Sequence, residues 1–240
     1  MRPSRLFSIA VFLLLLAAVP ATAAEKPKTG GNDLVWVSPD LGRYPATSIA
    51  MLPVVMFSDN SEQRKLIENA IGQALKTSGH RWVSPFIVRD NLMRAGGDSL
   101  LKALNAKVLA APRLDSLDAP FVSRTLHARA LLTVRADQME QLELEMNQSG
   151  RPSTTVYLRA ALVDSTGRLL WSVSSNETLE GQRQEAGGNI IGVKASGLNN
   201  TAVGLSTAAP PFPEVLSKIA QRWALVFPQR AKPDSARTSP

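Results

Sequence analysis

The 240-residue sequence predicts an α/β fold, an α+β sandwich whose helices pack on a mixed sheet ending in an antiparallel three-strand meander. Three observations carry this. Thr47 to Val55 is apolar on both of its faces, as a strand covered on both sides must be, and helical spacing follows it. Val156 to Val173 alternates at period two around Asp164-Ser165-Thr166-Gly167, a tight-turn sequence. Pro213 to Val226 then returns to helical spacing and is stopped by Pro228.

Residues 1–24 have the layout of a secretory signal, with Arg2 and Arg5 in front, an apolar run from Leu6 to Val19, and small residues after Pro20. Ala21-Thr22-Ala23 is an A-x-A cleavage site, so the mature chain is expected to start at Ala24 or Glu25. The run of about 14 apolar residues is shorter than the ~20 of a spanning helix, and no integral membrane span is expected after cleavage. The sequence has no cysteine, so a lipidated N-terminus, disulfides, thiol nucleophiles and Cys-ligated zinc or iron–sulfur clusters are not expected. With His80 and His127 its only histidines, a His-rich metal site is not expected either. Removing Arg2 and Arg5 leaves 25 basic against 20 acidic residues, a net charge of +5. These charges are scattered, with no basic run of five, and read as a solvated surface open to weak contact with anionic polymers or head groups. No nucleic-acid partner is expected.

Residues 25–46 read as a flexible leader with a possible edge strand at Leu34 to Val37. In the strand from Thr47, Ile49, Met51 and Val55 are assigned to one face and Ala50, Leu52 and Val54 to the other. Asp59-x-x-Glu62 resembles a capping box, and Leu66, Ile67, Ala70, Ile71, Ala74 and Leu75 form the inner stripe of a helix ending at Gly79. His80 to Val83 is a second short strand. Ser84-Pro85 starts a helix that ends at Gly96-Gly97, Asp98 opens another, and Pro112 forbids its continuation. Pro120 to His127 is a short helix with Phe121, Val122, Thr125 and Leu126 facing inward. Ala128 to Met146 is a long strand in which Leu142, Leu144 and Met146 alternate with Gln141, Glu143 and Glu145. Residues 180–211 are rich in Gly, Asn, Ser and Ala without a period, and residues 229–240 form a basic tail expected to be disordered.

Ser48-Ile49-Ala50-Met51-Leu52-Pro53-Val54, and Tyr157 to Trp171 with its Asp164-Ser165-Thr166-Gly167 turn, resemble the opening strand and hairpin of a periplasmic α/β domain. That domain is shared by the curli secretion lipoprotein CsgG and the TolB N-terminal domain. Ala128-Arg129-Ala130-Leu131-Leu132 and the closing Phe227-Pro228 fit the same pattern. The resemblance spans residues 47–228 and implies a single domain of a cell-envelope protein in the periplasm. It also implies channel, scaffold or synthase-activator roles, which are roles of partner binding or self-association. Its motifs are structural, with Asp164 and Gly167 serving the turn and Trp171 the core. The lipidated cysteine of the family's lipoproteins is missing, as are the paired amphipathic hairpins of a CsgG barrel.

No cofactor or metal motif stands out. Gly187-Gly188-Asn189-Ile190-Ile191-Gly192-Val193-Lys194 departs from a phosphate loop, because Val193 separates glycine from lysine and Ala195 follows where Ser or Thr is needed. It reads as a flexible loop in which Gly187, Gly188, Asn189, Lys194, Asn199 and Asn200 are candidate interaction residues. His127, near Ser123, and His80 read as capping or surface residues. Glu140, Glu143 and Glu145 read as solvated strand charges. Trp82, Trp171 and Trp223 are assigned to the core and Trp36 to a partly exposed position. The expected function is a non-catalytic envelope module for partner binding or self-assembly. A hydrolase or small-ligand receptor with a site built from dispersed residues is the alternative. Cell fractionation should find the protein in the soluble periplasmic fraction with Ala24 or Glu25 first by N-terminal sequencing. An uncleaved chain in the membrane fraction would overturn the export reading.

Overall fold

The computed structural model describes residues 33–43, 46–145, 148–183 and 208–230. Among these residues seven strands form one mixed sheet: β1 (Leu34–Val37), β2 (Ser48–Met51), β3 (Val55–Met56), β4 (Arg81–Val83), β5 (Ala130–Leu142), β6 (Ser153–Asp164) and β7 (Leu169–Glu180). The order is β1-β7-β6-β5-β2-β4, with β3 added to β5. β5 pairs in parallel with β2 and β3, and β2 with β4, whereas β5, β6, β7 and β1 run antiparallel in turn. Helices α1 (Ser61–Lys76) and α4 (Phe212–Val226) share a core with one sheet face, and α2 (Pro85–Ala110) and α3 (Ala119–Leu126) with the other. This is the α/β class the sequence predicts.

β2 is buried at every position, which explains why it reads as apolar on both faces. Its predicted continuation breaks at Pro53, which has no N–H for a ladder. The break resets the alternation. Val54 joins Ile49 and Met51 in the α1/α4 core, and Val55 joins Ala50 and Leu52 in the α2/α3 core, the reverse of the predicted faces for these two valines. The Val54 N–H, lost to the sheet, donates to Glu68 Oε1 at 3.1 Å.

The cap of α1 is Asn60, one residue later than predicted, and its Oδ1 accepts from the N–H groups of Glu62 and Gln63. Asp59 instead pairs with Arg64 at 3.1 Å. Gly97, with φ 67° and ψ −166°, breaks α2 into two arms where the sequence places the end of one helix and the start of another. Both arms feed one core, through Val88 and Leu92 before the break and Leu104 and Val108 after it. In α3 the buried set is Ala119, Val122, Ser123 and Leu126, at i, i+3, i+4 and i+7. Phe121, expected inside, is exposed because it lies one residue off that stripe. β5 ends at Leu142, which is 57% exposed, so the late alternation around residues 141–145 is not that of a half-buried strand.

The β6–β7 hairpin is closed by one side chain. Asp164 Oδ1 accepts from Thr166 N, Thr166 Oγ1 and Arg168 N, while Asp164 O accepts from Gly167 N. Gly167 has φ 86°, and a Cβ on it would lie 2.6 Å from Ser116 N, so the position excludes every side chain for two separate reasons. A bulge follows, with Leu162 opposite Trp171 and Val163 opposite Leu169. Leu170, left over by the bulge, turns into the same core as Trp171 and Val173.

Trp171 and Trp223 are fully buried, 6.1 Å apart edge to face, and Phe227 lies 5.0 Å from Trp171. Each indole N–H is satisfied across the same seam, Trp171 by Val226 O at 3.0 Å and Trp223 by Ser175 Oγ at 2.6 Å. Trp82, also expected in the core, is half-buried on edge strand β4 and meets Phe227 at 5.9 Å. Trp171→Ala should cost roughly 3–5 kcal/mol in denaturant unfolding, as large aromatic truncations in a core do. A change within about 0.5 kcal/mol, normal for a surface site, would contradict this packing.

Candidate functional site

On the α2/α3 side, helices contact β2, β3 and β5. Farther along the same face, over β6, β7 and β1, the described residues leave a cleft of about 400 Å³. Its floor follows from the register. Trp36 lies beside Ser172, Ser172 beside Ala161, and Ala161 beside Thr133, so one row across the strands reads large, small, small, small. The next row reads Leu34, Ser174, Arg159, Arg135. The small residues Ser172, Ala161 and Ser174 make a trough that Arg159 also lines, with Leu34 and Trp36 as one wall and Pro112 and Arg113 as the other.

The far wall is anchored by β5. Thr133 Oγ1 donates to Pro112 O at 2.8 Å, and Arg135 Nη1 donates to Leu109 O at 2.6 Å, giving the last turn of α2 a cation and its carbonyl a partner. Arg135 is only 7% exposed, and its charge is met by Asp137, with Nε to Oδ1 at 2.6 Å. Asp137 is the residue left over by a second bulge, between Ala136 and Gln138. Its Oδ2 also lies 2.7 Å from Arg159 Nε, and Arg159 Nε donates to Tyr157 Oη at 2.9 Å. One carboxylate therefore serves two guanidinium groups. The cluster holds geometry and presents positive charge to the trough.

The near wall is pinned from the opposite face. Arg222 on α4 forms a forked pair with Asp33, just before β1, at 2.8 and 3.2 Å, and reaches Glu177 on β7 at 2.7 Å. Burial alone would lower the Arg222 pKa, but its hydrogen bonds to Asp33 and Glu177 outweigh that and hold it above the usual value.

The sequence candidates fall elsewhere. Asp164, Gly167 and Trp171 occupy the hairpin and core described above. Gly187, Gly188, Asn189, Lys194, Asn199 and Asn200 lie outside the described residues, as does residues 231–240 of the tail. The segment carrying them re-enters at Ala208 to Pro211, where Pro210 O accepts from Thr154 Oγ1 and Gln141 Nε2. Ser123 is buried and donates to Ala128 O at 2.5 Å, while exposed His127 ends α3 in the left-handed region at φ 49°. His80 is a correction: it is buried, with Nε2 2.9 Å from Pro228 O, because the chain after α4 returns to β4 and Arg230 N bonds Ser78 O. Glu140, Glu143 and Glu145 are exposed. Among the described residues no three His, Asp or Glu side chains converge as metal ligands. No described helix is long and apolar enough to cross a membrane.

No family model and no curated protein matches the chain. Solved structures give partial backbone likenesses. Lipoprotein GNA1162 from Neisseria meningitidis is 20% identical over 56% of this chain and 83% of its own, with a TM-score of 0.43. The PelC dodecamer from Paraburkholderia phytofirmans is 14% identical over 80% and 96%, at 0.40. LpoB of E. coli is 13% identical over 75% and 96%, at 0.33.

Replacing Asp137 with Ala should lower stability by about 3 kcal/mol, the lower end for a nearly buried ion pair broken from one side. Pairing it with Arg135→Met should recover part of that loss in denaturant unfolding, since no uncompensated buried charge then remains. Additive losses in the double variant would show that the two side chains are not coupled.

Proposed function

We propose that the chain is a non-catalytic module of the bacterial cell envelope, exported to the periplasm, that works by binding a protein partner or another copy of itself. The observation that carries this is the edge of the sheet at β1. β1 bonds to β7 on one side, and no described residue pairs with its other side. Its sequence is Leu-Val-Trp-Val, with Leu34 75%, Trp36 45% and Val37 37% exposed. Edges that stay single are usually blunted by charge, proline or a bulge, and β1 has none of these, which makes it a template for an added strand. The signal-like residues 1–24 and the resemblance of residues 47–228 to the CsgG and TolB N-terminal domains support the envelope setting. In this reading, Gly187, Gly188, Asn189, Lys194, Asn199 and Asn200 supply further contacts.

The Ser38 N–H bonds Leu170 O, so antiparallel alternation turns the N–H of Val37 away from β7. Val37→Pro therefore removes an outward donor without touching the existing ladder. Light scattering and pull-down from periplasmic extract should show assembly or a partner for the intact protein and at least a tenfold loss for Val37→Pro. Deleting residues 184–207 should weaken association with little change in unfolding midpoint. A monomer that captures nothing, unchanged by either alteration, would overturn the proposal.

A further inference from the structure

We propose that the trough over β6, β7 and β1 binds an extended acidic segment of a partner protein. This rests on the partner-binding reading and adds to it a contact on the sheet face, distinct from the β1 edge.

Charge sets the sign of the guest. Among the described residues, Arg113 and Arg159 line the trough and no acidic residue does. Asp137 is divided between Arg135 and Arg159, so that cluster retains one excess positive charge. Arg113 is exposed and forms no ion pair among the described residues. Carboxylates are the complement, and arginine takes them in forked geometry.

Spacing sets the kind of guest. Leu34 and Trp36 lie two residues apart on one wall, and Ser174 and Ser172 two apart on the floor in register with them. Residues two apart on a strand recur about every 6.6–6.8 Å, which is also the repeat of one side of an extended peptide. Alternate apolar side chains of such a guest meet Leu34 and Trp36 while its backbone passes the serine hydroxyls. The floor strands are fully paired, and Thr133 fixes Pro112, so the trough exists before the guest arrives. Its volume of about 400 Å³ falls in the range of ligand sites.

The test is fluorescence anisotropy of the mature protein with a labelled peptide pool that alternates Asp or Glu with Leu or Val. A pool with Lys at the acidic positions and a uronic acid oligosaccharide serve as comparisons. The acidic pool should bind, weaken with salt, and lose at least tenfold in affinity with Arg113→Glu and with Ser172→Leu, which fills the floor. The lysine pool should not bind. Unfolding midpoints of both variants show whether the fold is kept, and Arg113→Gln, at an exposed position, gives an intermediate loss if charge is the cause. Acidic-pool affinity unchanged in Arg113→Glu and Ser172→Leu would overturn the proposal. So would no binding, or an oligosaccharide bound as tightly as the peptides. The edge reading is separable: Val37→Pro should leave peptide affinity unchanged. Loss of association in Val37→Pro without any trough-dependent peptide binding removes the trough and keeps the edge.

Discussion

Two indole N–H groups buried on one seam must each find an acceptor, and this requirement ties the sheet to its last helix. Trp171 finds Val226 O and Trp223 finds Ser175 Oγ, so β7 bonds to α4 and α4 bonds back to β7. A one-residue slip of β7 would turn Trp171 and Ser175 to the opposite face and leave the Trp223 donor unpaired in the core. Phe227 extends the constraint to the other end of the sheet, where it meets Trp82 and His80 on the approach to β4. With β7 fixed in register, β1 has a defined partner, and the rows of the trough follow from it.

The far side of the trough depends on a different close approach. Gly167 brings the β6–β7 turn against the backbone of Asp115 and Ser116, in the connection between α2 and α3. That connection begins with the wall residues Pro112 and Arg113. Asp115 Oδ1 orders its next stretch by accepting from Leu117 N and Asp118 N, and these bonds, Asp118's foremost, keep its carboxyl below the usual range. Turn, connection and β5 thus support one another, with Arg135 and Thr133 bonding the same stretch of chain from below.

Periodicity made much of this fold legible in advance. The doubly apolar β2, the Asp164–Gly167 hairpin, the break at Gly97 and the stripe of α4 all follow from local sequence. Misplaced positions cluster where one residue resets a phase. Pro53 swaps the faces of Val54 and Val55, the bulge at Leu170 turns an extra leucine inward, and Phe121 sits one step off the stripe of α3. Asn60 displaced Asp59 as cap because its Oδ1 reaches two N–H groups at once. The trough was not legible, because its floor is a cross-strand row, and rows depend on a register set by Trp171 and two bulges. A signal for part of it was present: Arg135 interrupts the apolar run from Ala130 to Ala136, and a charge inside a buried strand calls for a nearby partner, here Asp137.

Among the described residues β1 precedes every other strand, yet its only partner in the sheet is the last of them, with Leu34 opposite Ser174. A chain that emerges from its N-terminus must carry Trp36 unpaired until its partner Ser172 on β7 has been delivered. Closure over so long a separation is the slow kind of contact, formed late. Both the open edge and the near wall of the trough therefore wait for β7, and a chain delivered only as far as β6 has neither to offer.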